Sequence, residues 1–176
     1  IQITIQHRIK PERFLIKKCA FSIMVNDSIA DEVQRIHKLR ERPLVVRNIP
    51  NKWILDDSVC EIKRNYICEK LGISNDGFIV MYHGIITHGR GVETILESVS
   101  RNDKVSVVIL GNGEQSYLDS LKQMAMRLNI SNRVLFHEAV PIEDLWQYVG
   151  AVDVGMVVHP NVSKSYYYGL PNKFFE

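Results

Sequence analysis

Along the chain the spacing of apolar residues switches repeatedly between a period of two and a period near three and a half. Residues 1–5, "IQITI", alternate apolar and polar as a half-buried strand does. Residues 8–18 carry a helical pattern, and "AFSIMV" at 20–25 predicts a strand. A helix is predicted over 26–40. Asn26, Asp27 or Ser28 supplies its cap, and Ile29, Val33, Ile36 and Leu39 form its apolar stripe. "PLVV" at 43–46 predicts another strand, and "RNIPNKW" at 47–53 is a turn-rich connector.

A longer block follows. Asp57–Leu71 predicts a helix stopped by Gly72. "FIVMYH" at 78–83 is almost wholly apolar, as strands buried on both faces of a parallel sheet are. The helix expected at 90–99 places Val92, Ile95, Leu96 and Val99 on one side. Then come a strand at 104–110 and a helix at 114–128 facing inward with Leu118, Leu121, Ala125 and Leu128. A strand at 133–137, a helix at 142–149, a strand at 152–158 and a helix start at Pro171 complete the series.

Strands alternating with helices of this length predict βαβ units. The fold class is therefore α/β, a doubly wound, Rossmann-like parallel sheet. The connector divides the chain into a small segment, 1–47, and a larger one, 48–176. The first segment is short for an independent parallel-sheet domain and reads as the end of one.

Composition narrows the class. An apolar fraction of 45% suffices for a sizeable core. Cys19, Cys60 and Cys68 form no C-x-x-C and read as reduced thiols of a cytosolic protein. No apolar run has a membrane-spanning length, and the alternation at 1–5 is not that of a signal peptide. Net charge is +2 but uneven: residues 1–70 hold 14 basic and 9 acidic side chains, and the remainder 8 and 11. The basic part is either an ordinary solvated face or one that lies near an anionic surface such as phospholipid headgroups. Basic runs interleaved with aromatics are absent, so nucleic acid is not an expected partner.

Two glycine clusters follow strands. "HGIITHGRG" contains Gly84, Gly89 and Gly91 between a strand and a helix, where backbone N–H groups and the helix dipole favour phosphate. Arg90 replaces the lysine of a P-loop and Gly91 its Ser/Thr, which argues against an ATPase or GTPase. Either the cluster is a plain βα turn or it holds an anion, and Arg90 favours the anion. "GNGE" at 111–114 is a turn in its own right. The six histidines are dispersed and no protein-held metal is expected. His83 ends a buried strand and reads as a core histidine. Tyr166, Tyr167 and Tyr168 follow the last strand, either packed on the core or walling a pocket.

As a set, "MYHGIITHGRGVETILES", "VVILGNGE", "NRVLFHEAVPIEDLWQYVGAVDVGMV" and "SYYYGLPNKFFE" resemble the donor-binding domain of retaining GT-B glycosyltransferases of family 4. The likeness is to bacterial members acting on cell-surface polysaccharides, such as capsule or lipopolysaccharide. It covers residues 48–176, and 1–47 resemble the end of the acceptor-binding domain. The resemblance implies a domain incomplete at both ends, so these 176 residues are expected to be inactive alone.

What the resemblance implies for the site is specific. Gly84, Arg90 and Gly91 would receive the diphosphate of a nucleotide-sugar, although Ile85 stands where a second basic residue is usual. Residues 138–141, with Glu138 and Val140, would hold the base. The family carries two glutamates eight positions apart. Glu176 matches the second, which binds the ribose, whereas Tyr168 stands in place of the first. Asn172 and Lys173 would take up part of that role. The implied activity is transfer of a hexosyl unit, with retention, from a UDP-, GDP- or ADP-linked sugar. The acceptor would be lipid-linked or a polysaccharide, reached in the cytoplasm or at the inner face of the cell membrane. No cofactor held by the protein is implied, and no catalytic residue is assigned. Another GT-B enzyme, an epimerase or a phosphorylase, or a non-catalytic nucleotide-binding module would share these features.

Overall fold

The computed structural model describes Glu12 and residues 14–158, 160–161 and 163–176. The strand expected at 1–5 lies outside them, as do residues 8–11 and 13 of the helix expected at 8–18; 12, 14 and 15 are helical. The described end of that helix is a 3-10 turn, Ile16–Lys18. In chain order the elements are β1 (Ile23–Met24), α1 (Asp27–His37), β2 (Leu44–Val45), α2 (Asp57–Leu71), β3 (Phe78–His83), α3 (Val92–Ser100), β4 (Val105–Leu110), α4 (Gln115–Arg127), β5 (Val134–His137), α5 (Ile142–Val149), β6 (Val154–Gly155) and α6 (Lys164–Tyr167). By mutual contact they form two units: Ile1–Pro50 with Val162–Asn172, and Asn51–Asn161 with Lys173–Glu176.

Among its described residues the first unit contains one βαβ turn, with α6 on the returning segment. β1 and β2 pair in parallel, Ile23 opposite Leu44 and Met24 opposite Val45. Asn26 caps α1, its Oδ1 accepting from the Ile29 N–H at 2.8 Å. Its Nδ2 donates to the Tyr168 carbonyl at 2.7 Å and so holds the returning segment. Lys164 pairs with Glu32 on α1. The helix stops at His37 rather than at 40, because Lys38 takes a left-handed φ of +51°. Both strands are shorter than expected, and among the described residues each pairs only with the other.

The second unit holds a four-stranded parallel sheet in the order β5-β4-β3-β6. The doubly wound expectation is met. Period-two alternation sends Val80, Tyr82, Val107 and Ile109 to one face, under α3 and α4. Ile79, Met81, Val108 and Leu110 go to the other, under α2 and α5. On α3, Val92, Ile95, Leu96 and Val99 are all buried, as their spacing requires. Gly72 ends α2 at φ +66°, where glycine has no Cβ penalty.

Two boundaries differ from the pattern. The strand expected at 152–158 is reduced to β6, an edge strand facing only Val80 and Met81 of β3. The expected helix at 90–99 begins at Val92, because Gly91 is left-handed and serves as its N-cap. Arg90 therefore sits in the turn ahead of the helix. The topology itself marks a place for a ligand. The chain moves outward from β3 to β4 to β5, then returns to the far side of β3 as β6. Order reverses beside β3, and ligands of doubly wound sheets bind outside the carboxyl ends of strands at such a reversal.

Candidate functional site

At the carboxyl end of β3 the chain leaves His83 and turns through Gly84, whose φ is +116°. A Cβ on Gly84 would stand 3.1 Å from the Nζ of Lys173. Glycine here permits both the turn and the approach of the ammonium. That Nζ donates to the His83 carbonyl at 2.6 Å and lies 4.2 Å from the centre of the Tyr82 ring. The Tyr82 hydroxyl in turn donates to the Ile85 carbonyl at 2.8 Å.

Lys173 is not an ordinary lysine. Burial, and then the charge of Arg90, pull its pKa down to about 8, while Glu176 pulls the other way. Two cations thus gather at the mouth of the β3 turn.

Glu176 lies at the same place. Its side chain and that of His83 are 9% and 8% exposed, and His83 Nε2 stands 3.5 Å from Glu176 Oε2. Burial pushes the Glu176 carboxyl up, against the pull of Lys173. His83 is lowered to about 4, by burial first and by Lys173 second, so its imidazole is uncharged near neutral pH. The expected core histidine is buried, but its ring faces the site rather than the apolar interior.

Gly91 closes the turn on its other side. Its φ is +75°, and a Cβ there would overlap the side chain of Val158, on the segment after β6. No side chain caps α3, which leaves its first N–H groups without a side-chain acceptor.

Beside the turn opens a cleft of about 250 Å³, lined by His83, Gly84, Ile85, Leu110, Gly111, Asn112, Ala139, Val140 and Leu145. The Asn112 Oδ1 accepts from the Ala139 N–H at 3.2 Å and ties the loop after β5 to the turn after β4. Glu138 is exposed and does not line the cleft. Its carbonyl accepts from His137 Nδ1 at 2.7 Å, and the Tyr148 hydroxyl donates to His137 Nε2 at 3.2 Å. These two contacts fix the Nδ1–H tautomer of His137.

Of the expected residues, the second unit gathers Gly84, Arg90, Lys173 and Glu176 at the β3 turn, with Gly91 flanking them and Val140 in the adjoining cleft. Tyr168 and Asn172 belong to the first unit. Sequence reasoning read His83 as a core histidine and Asn112 as part of a turn. The signal for both was position, at or just past the carboxyl end of a buried strand. Among the described residues, no three of His, Cys, Asp or Glu are grouped to hold a metal ion. No described helix is long and apolar enough to cross a membrane. The first unit contains a wider cleft, about 620 Å³, where Lys17, Lys38, Arg40 and Arg42 stand among Ile16, Phe21, Leu39 and Leu44.

A family model described as "Glycosyl transferases group 1" matches residues 63–165, more than half of the chain. The chain belongs to this family. The matched span contains β3 to β6, the β3 turn and the cleft beside it. No curated protein matches the chain. Among solved structures, HepE of Anabaena, in complex with UDP and glucose, is similar at 18% identity and a TM-score of 0.67. The likeness covers 88% of this chain and 42% of that one. A glycosyltransferase of Rickettsia africae is 13% identical, with a TM-score of 0.64 over 85% of this chain and 41% of its own. Sucrose-phosphate synthase of Thermosynechococcus elongatus is 17% identical, with a TM-score of 0.62 over 86% and 38%. These likenesses show a shared GT-B fold, and the chain spans about two-fifths of the length of such structures.

Proposed function

We propose that this glycosyltransferase binds a nucleoside diphosphate sugar in its second unit and transfers the hexosyl group with retention, as family 4 enzymes do. The observation that carries the reading is the gathering of Arg90, Lys173 and Glu176 at the Gly84 turn, beside the reversal of strand order. Arg90 and Lys173, with the N-terminus of α3, receive the diphosphate. As the glycosidic bond to the donor breaks, negative charge grows on the leaving diphosphate, and these fixed positive groups stabilise it. The Glu176 carboxylate accepts hydrogen bonds from the two ribose hydroxyls. The cleft of Val140, Ala139 and Asn112 takes the base. UDP in the Anabaena protein supports a nucleotide-sugar donor here, with UDP, GDP and ADP as the candidate carriers.

Residues 1–47 form the end of the acceptor-binding domain in this reading, and 48–176 the donor-binding domain. The basic and apolar cleft of the first unit suits a lipid-linked or polysaccharide acceptor and a peripheral membrane contact at the cytoplasmic face. The test is product analysis with the intact protein and UDP-, GDP- and ADP-hexoses. The expected outcome is a glycoside that keeps the donor's anomeric configuration. An isomerised nucleotide-sugar, a sugar phosphate or an inverted glycoside would contradict it.

A further inference from the structure

His83 has a place in the site that its core position does not require. It is the last residue of β3, paired with Leu110 in the sheet, and its backbone and side chain reach two different groups of the site. The carbonyl receives the Lys173 ammonium at 2.6 Å, and Nε2 faces Oε2 of Glu176 at 3.5 Å. Both side chains are more than nine-tenths buried, so water does not compete freely for either. A carboxylate at the end of a flexible side chain has many rotamers, and fixing one before a ligand arrives removes an entropy cost of binding. An uncharged imidazole facing the carboxylate at this distance orients it without cancelling the charge that a diol would seek.

We infer that His83 is a positioning residue for the donor. It holds Glu176 by Oε2 so that the other carboxylate oxygen is presented to the ribose hydroxyls, and it anchors Lys173 through its carbonyl. The assignment rests on the reading of Glu176 as the ribose acceptor given above. The side chain and the carbonyl make separable claims. A substitution at 83 removes the imidazole but keeps the carbonyl, so ribose recognition should fail while diphosphate recognition survives.

The experiment measures binding of UDP, GDP and ADP, of their 2′,3′-dideoxy forms and of inorganic pyrophosphate to the intact protein, by calorimetry. Wild type is expected to bind one nucleotide about 10-fold or more tighter than its dideoxy form, as hydrogen bonds to a charged group imply. In His83→Phe that ratio falls toward 1, while pyrophosphate affinity stays within about twofold of wild type. His83→Gln, which keeps a donor, recovers at least half of the lost discrimination on a logarithmic scale. In a Glu176→Gln background, His83→Phe has no further effect on the ratio. Should His83→Phe fail to fold by circular dichroism, His83→Asn is read instead, because its shorter side chain stops short of Glu176. An unchanged ratio in a folded His83 variant, with nucleotide still bound, overturns the role of His83 alone. A wild type that binds none of the three nucleotides overturns the donor-site reading, and the role of His83 with it.

Discussion

Lys173 Nζ donates to the carbonyl of His83 at 2.6 Å, across 90 residues of sequence, and so stands over the end of β3. This bond places an ammonium where the strand's own hydrogen-bond ladder ends. The same ammonium lies near enough to the Arg90 charge for that charge to lower its pKa.

A first expectation concerns pH. The Lys173 pKa of about 8 lies well below the ordinary 10.5, so its charge is lost as pH rises through 8. A bound diphosphate favours the charged form, and affinity should fall by about fivefold between pH 7.5 and 9. Lys173→Met should weaken binding at pH 7.5 by about 10-fold or more and flatten this decline. Calorimetric titration of both proteins across the range, with the same nucleotide, checks it.

Arg90→Ala should weaken nucleotide diphosphate binding by about 1.5–3 kcal/mol, as for a lost charge-assisted bond. It should also move the pH dependence of binding upward, because a cation that lowers the Lys173 pKa is gone. An Arg90→Ala protein with wild-type affinity would remove Arg90 from the site.

Gly91 tests the turn's geometry. Gly91→Ala introduces a Cβ at φ +75° and drives it into Val158. The left-handed strain alone costs about 1–2 kcal/mol, and the overlap about 1–3 kcal/mol more. Urea unfolding should show that loss, and Val158→Ala in the same protein should restore the part due to overlap with the Val158 Cγ1. Equal stabilities of Gly91→Ala with and without Val158→Ala would show that the overlap has no cost.

His83 should make stability depend on acid. Its folded pKa of about 4 lies below the ordinary 6.5, so between these values the unfolded chain binds the extra proton. Stability is therefore full above pH 6.5 and falls as pH drops toward 4. Glu176, raised by burial, acts in the opposite sense, so the readout is the difference between wild type and His83→Gln. Denaturant unfolding from pH 7 to 4.5 should show a steeper loss in wild type than in the variant.

Much of the fold was legible because local rules and packing agree in it. The stripe Val92, Ile95, Leu96 and Val99, the apolar run of β3 and the stop at Gly72 each follow from spacing that burial then enforces. The short edge strand β6 was not legible, because apolar composition does not tell how far a neighbour extends. Nor was the assignment of Val162–Asn172 to the first unit. It rests on Asn26 meeting Tyr168 and Lys164 meeting Glu32, contacts across more than 130 residues that no local pattern records. At the site, Arg90 and Glu176 stood out by chemistry and family likeness. His83 did not, because an apolar strand hides a polar last residue until the partner it faces is known.

The central claim is a diphosphate site at the β3 turn, built on Arg90 and Lys173. Calorimetric titration of UDP, GDP and ADP at pH 7.5, against wild type and an Arg90→Ala, Lys173→Met double variant, tests it most directly. One nucleotide should bind wild type, and the double variant should lose about 100-fold or more of that affinity. Failure of all three to bind wild type, or equal affinity for the double variant, would contradict the account.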